Sequence, residues 1–158
     1  MFAAELLKLD LAPDKRARLM GADLELQAWP DVGPALQALR AAGIRLAFLS
    51  NATRKILDAG IANSGLGQVF AHVLSTDTIR SYEPEPRAYQ MGMDAFGLGL
   101  EEILFVAFAG WDAAGAKSFG YTTYWVNRSG LPAERLSAPP DGVGKDLNDL
   151  VGFVKTAA

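Results

Sequence analysis

The sequence predicts an α/β fold, a parallel sheet with flanking helices. Short apolar runs at 44–49, 103–108 and 122–126 are bounded by glycine or polar residues, as buried parallel strands are. Between them lie helical stretches of ten or so residues, and that alternation signals βαβ units with right-handed crossovers. With 158 residues, half of them hydrophobic, the chain is long enough for one domain burying roughly 70% of its unfolded surface.

Residues 3–26 read as two helices joined at Leu11-Ala12-Pro13-Asp14, with Leu19, Met20, Leu24 and Leu26 as an incomplete apolar stripe. Trp29-Pro30-Asp31 breaks the segment. Asp31 is placed to cap a helix in which Leu36 and Leu39 face inward and which Gly43 stops. Ile44–Leu49 follows as a buried strand. A helix over Arg54–Ala62 ends before Gly65, and a strand is expected near His72–Ser75. Pro86 opens a helix through Tyr89, Met93 and Phe96, and Ile103–Phe108 is the most hydrophobic strand candidate. A helix over Ala113–Phe119 leads to Thr122–Val126, which is β-branched and aromatic. Leu131–Lys145, rich in proline and glycine, reads as loop, and Leu147–Val154 as a closing helix.

Composition narrows the function classes. A net charge of -3, with basic residues dispersed, argues against a nucleic-acid or anionic-membrane partner. There is no cysteine, so disulfides, thiolate metal sites and cysteine nucleophiles are excluded. The start lacks the pattern of a secretory signal, and no apolar run reaches the roughly 18 residues of a membrane span. A cytoplasmic protein is the expectation. His72 is the only histidine, which leaves histidine-based metal sites and triads without support. The Gly-Leu-Gly triplets at 65–67 and 97–99 read as helix ends rather than phosphate cradles.

Ligands of parallel sheets bind beyond the carboxyl ends of the strands. That nominates Ser50-Asn51, the loop Asp77–Pro86, and Ala109–Asp112. Ser50 and Asn51 offer a hydroxyl, an amide and backbone N–H groups, suited either to holding a carboxylate or phosphate or to capping the next helix. Asp112 near a helix start is either a cap or a group that orients others.

Leu49-Ser50-Asn51, Tyr82-Glu83-Pro84-Glu85-Pro86-Arg87-Ala88-Tyr89, the run from Gly110-Trp111-Asp112 to Gly120, and Trp125-Val126-Asn127-Arg128 occur in one order. Together they resemble the haloacid dehalogenase superfamily, in particular its type II 2-haloacid dehalogenase branch. The resemblance implies a Rossmann-like core over 28–158, with 1–27 a remnant of the helical cap. It also implies hydrolysis of a carbon–halide bond through an aspartate ester, and no cofactor or metal. By position, Ser50 and Asn51 would hold the substrate carboxylate and stabilise the reacting aspartate, Tyr89 would line the site, and Asp112 would orient the catalytic lysine or the water.

Three departures bear on activity. No apolar strand bearing an aspartate precedes the cap-like segment, so the core is expected to lack its first strand. Where the family has a lysine stands Glu83, which repels both a carboxylate nucleophile and an anionic substrate. The family's serine and asparagine in the fourth motif correspond to Ala107 and Ala109, and Ala107-Phe108 cannot supply the acidic Mg²⁺ ligands of phosphatase relatives. Lys55 and Lys117 are the nearest substitutes for the lysine, Asp77 and Asp112 for the nucleophile. The sequence therefore reads as a degenerate dehalogenase-like protein without hydrolytic activity of its own. The alternatives are an active hydrolase completed by a missing segment, and a module for small carboxylates or other anions. A strand missing from the sheet's centre leaves three outcomes: its neighbours pair directly, a second copy inserts or docks there, or the chain is a fragment whose upstream part is supplied separately. Self-association to a dimer is the expectation.

Overall fold

The computed structural model describes residues 2–157. Helix α1 (Phe2–Leu6) and helix α2 (Pro13–Gly21) lead through a 3₁₀ turn (Ala22–Glu25) into α3 (Val32–Ala41). Pro13 starts α2 as anticipated, but the apolar stripe is not buried: Leu19, Met20 and Leu26 all face solvent. Helix α3 buries Ala35, Leu36 and Leu39, and Gly43 ends the turn after it with a φ of +82° that a side chain would strain.

From there strands and helices alternate: β1 (Ala47–Ser50), α4 (Arg54–Asn63), β2 (His72–Ser75), α5 (Pro86–Phe96), β3 (Leu104–Ala107), α6 (Gly110–Phe119), β4 (Thr122–Val126), β5 (Gly142–Gly144) and α7 (Leu147–Ala157). Every strand pairing is parallel, which confirms the α/β class. Strand β5 falls inside the stretch expected to be loop. Its Gly-Val-Gly carries no strand signal, yet only glycine fits beside β4. A Cβ on Gly142 would lie 2.6 Å from Tyr124 Cδ2.

The strands form two groups, β1-β2 and β3-β4-β5. Among the described residues β1 pairs only with β2 and β3 only with β4, so the two apolar strands do not close up on one another. A cavity of about 1090 Å³ lies between them. Consecutive residues of β1, Ala47 to Ser50, line it, as do Leu104, Phe105 and Val106 of β3. Side chains of a strand alternate between faces, so a wall of consecutive residues is a strand's backbone edge. The expectation of a fully buried β1 fails for this reason: all four residues are only half-buried.

The main core lies to the side of this cavity, where Leu36 and Leu39 of α3, Tyr124 and Val126 of β4 and Leu150 of α7 meet. A second cluster of Tyr89, Ala116 and Tyr121 joins α5 to α6. Asp31 precedes α3 as expected, but its side chain does not cap the helix. It accepts two hydrogen bonds from Arg128, at 3.0 and 2.8 Å, and a third from the Leu147 N–H at 2.9 Å. One carboxylate thereby ties α3, the end of β4 and the start of α7. No helix among the described residues is long and apolar enough to cross a membrane.

Candidate active site

At the carboxyl ends of β1 and β3 the cavity is bounded by Ser50, Asn51, Glu83 and Asp112, with Phe108 and Trp111 exposed beside them. The Ser50 Oγ accepts a hydrogen bond from the Ala52 N–H at 3.2 Å, turning the chain toward α4. Asn51 is spent on the neighbouring loop. Its Oδ1 accepts from the Glu83 N–H at 2.8 Å and from Thr76 Oγ1 at 3.0 Å, and its Nδ2 faces the Glu83 carbonyl at 3.4 Å. The Asn51 amide therefore fixes where Glu83 stands rather than reaching for a ligand.

Glu83, half-buried before a cis Pro84, has its carboxyl pushed up to about 8. Burial is the larger cause and the negative charge of Asp112 the second. Asp112, only 8% exposed in the first turn of α6, is also shifted upward by burial, an effect opposed by the Tyr89 hydroxyl that donates to its Oδ1 at 2.8 Å. Tyr89 is fully buried and does not line the cavity, contrary to the expectation. It lies behind Asp112, its own carbonyl accepting from the Tyr121 hydroxyl at 2.7 Å. Burial and Asp112 push the Tyr89 hydroxyl well above its ordinary value.

The structure thus brings together Ser50, Asn51, Glu83 and Asp112, and separates the proposed substitutes. Lys117 pairs with Asp141 at 2.7 Å, Lys55 and Asp77 are exposed, and none of the three borders the cavity. Among the described residues the one basic side chain on its wall is Arg45, at the opposite end over the Phe96 ring. Among the described residues no group of three histidine, cysteine or acidic side chains could hold a metal ion.

Two residues that position the site escaped the sequence reading. Thr76 braces Asn51. Gly115 lets α6 pass close to the Glu83 loop: a Cβ there would come within 2.5 Å of both Pro84 Cβ and the Tyr89 hydroxyl. The run Ala113-Ala114-Gly115-Ala116 is the sequence signal for that close approach.

Such a site, with a carboxylate at the start of one helix facing a second carboxyl on a loop, sits where a parallel sheet binds its ligands. The sequence model for haloacid dehalogenase-like hydrolases matches residues 3–120. The chain is 41% identical to haloacetate dehalogenase H-2 of Moraxella sp. (strain B), over 94% of its own length and 66% of that protein's. It is 38% identical to the (S)-2-haloacid dehalogenase of Pseudomonas sp. (strain YL), over 99% and 68%. It superimposes on the L-2-haloacid dehalogenase RSc1362 with a TM-score of 0.94 at 40% identity, covering 98% of this chain and 68% of that one. The L-2-haloacid dehalogenase of Xanthobacter autotrophicus with chloropropionic acid covalently bound gives 0.87 at 30% identity, over 99% and 73%. The chain spans about two thirds of the length of the relatives it matches. On sequence and fold alike, it belongs to the haloacid dehalogenase-like hydrolases.

Proposed function

We propose that this chain carries the frame of a haloacid dehalogenase without hydrolytic activity of its own. The observation that supports the reading is the pairing of Glu83 with Asp112. Ester-forming hydrolysis of a 2-haloacid needs an ionised carboxylate nucleophile and a receptor for the substrate carboxylate, two negative charges in one site. Here Asp112 adds its negative charge to that of Glu83, whose carboxyl burial already holds toward its protonated form. Asp112 is held by Tyr89 at the base of α6 and does not serve as the attacking group. Ser50 keeps a hydroxyl at the cavity, so weak binding of a small carboxylate is the remaining capacity of the site.

The test is halide release from 2-chloropropionate and chloroacetate, followed by ion chromatography with the folded chain. No release above the buffer blank is expected, and turnover by the chain alone refutes the reading. Halide release that appears only on adding a peptide ending in aspartate supports a hydrolase completed by a separate segment.

A further inference from the structure

We infer that Asn63 and Ser64 form a latch at the end of α4, which clasps residues 24–28 and so sets where the helical segment before them leaves the core. The latch is separate from the carboxyl site and needs no ligand there. Helix α4 closes on itself: the Gly65 N–H donates to the Ala62 carbonyl at 3.1 Å and the Leu66 N–H to the Ile61 carbonyl at 3.0 Å, with Gly65 at a φ of +64°. That closure satisfies the last turn from within and leaves both side chains free to reach outward. Asn63 Nδ2 donates to the Leu24 carbonyl at 2.9 Å and to the Leu26 carbonyl at 3.1 Å. Ser64 Oγ accepts from the Ala28 N–H at 2.8 Å. Both donors of one amide and an acceptor site of one hydroxyl are thereby spent on the same stretch of backbone.

No residue from 22 to 28 is buried, so these hydrogen bonds rather than core packing hold the stretch in place. The chain beyond it is fixed independently. Arg128 lies over the Trp29 ring at 5.3 Å and pairs with Asp31 at 2.8 Å, so opening of the latch is confined to residues before Trp29. At its other end α4 begins just after the turn bearing Ser50 and Asn51. That turn is itself tied down, since the Ala52 carbonyl accepts from Ser75 Oγ at 2.7 Å. One helix of 10 residues thus spaces the latch from the candidate site, by about 15 Å at 1.5 Å per residue. With the latch closed, the helical segment is held in register with the Ser50–Asn51 turn. With it open, residues 24–28 lift from α4 and that register is lost.

The test follows hydrogen exchange of the Ala28 N–H by NMR in the folded chain. Ser64→Ala removes its acceptor and should speed exchange about tenfold. Asn63→Ala leaves that acceptor in place, yet should speed exchange at Ala28 by a similar factor, because the clasp opens as one unit. Asn63→Asp, equal in size but without the two donors, should match it, and Ser64→Thr, which keeps the hydroxyl, should retain the protection. Buried amides of β4 should exchange at their original rates in all four variants, which separates opening of the latch from unfolding. The chain has no cysteine, so Asp23→Cys and Glu101→Cys place spin labels at these two exposed positions alone. Their distance distribution should be narrow with the latch intact and broad after Asn63→Ala. An Ala28 rate that neither Asn63 variant moves, a distribution that Asn63→Ala leaves unchanged, or one already broad with the latch intact overturns the proposal.

Discussion

Asp31 and Glu83 are both carboxyls drawn partly out of water, and the molecule treats them in opposite ways. Asp31 lies against Arg128, with the two side chains only 12% and 15% exposed, and the pairing holds its carboxyl below the usual carboxylate range. Glu83 faces Asp112 and is pushed up to about 8. Asp31 also receives the Leu147 N–H, and Arg128 lies over the Trp29 ring at 5.3 Å, so the pair is satisfied on every side. Glu83 gives its backbone to Asn51 while its carboxyl has burial without a cation. Desolvation costs both groups; only one is compensated. The compensated group builds the fold.

Removing the compensation should give the largest effect. Arg128→Ala leaves the Asp31 carboxylate without its cation and should lower stability by about 3 kcal/mol, read from the urea midpoint. A loss under about 0.5 kcal/mol would mean that the pair behaves as an exposed one.

The two carboxyls should also titrate with opposite signs. Asp31 binds its proton less tightly folded than unfolded, so its contribution is present at neutral pH and fades as pH falls below the usual carboxylate range. Glu83 binds its proton more tightly when folded, so its contribution is present below about 4.5 and is lost as pH rises through about 8. Allowing for its partial exposure, the decline should be about 2 kcal/mol, and Glu83→Gln should flatten it. A stability profile between pH 5 and 8 that is the same in the Glu83→Gln variant contradicts the assignment.

Smaller changes sharpen the same contrast. Gly115→Ala forces a methyl against Pro84 and Tyr89 and should cost about 1–2 kcal/mol while displacing the Glu83 loop, visible as amide shifts at 82–85. Tyr89→Phe removes the hydrogen bond to Asp112 and should cost about 1 kcal/mol, with the Asp112 carboxyl moving further upward. Arg54→Ala breaks an exposed pair with Asp58 and should change stability by under about 0.5 kcal/mol.

Most of the frame was legible from the chain. Punctuated apolar runs located β1 to β4 within a few residues, because a buried parallel strand leaves a continuous hydrophobic signature. Strand β5 was not legible, since Gly142 and Gly144 are there to clear Tyr124 rather than to favour extended backbone. The α2 stripe misled because leucines at helical spacing carry no record of whether anything packs on them.

At the site, the ends of β1 and β3 followed from topology, and Glu83 stood out by its charge. The roles of Asn51 and Tyr89 did not follow. An asparagine that binds a ligand and one that braces a loop look alike in sequence, and Tyr89 reaches Asp112 only through the approach of α5 to α6. Asp31 shows the same limit: its position was that of a helix cap, while its partner lies 97 residues away.

A carbon-detected NMR titration of the Glu83 side chain tests the central claim most directly, since it reads the group on which the comparison turns. A midpoint near 8 is predicted. A midpoint near 4.5 would contradict the account, placing a cation or free solvent beside Glu83.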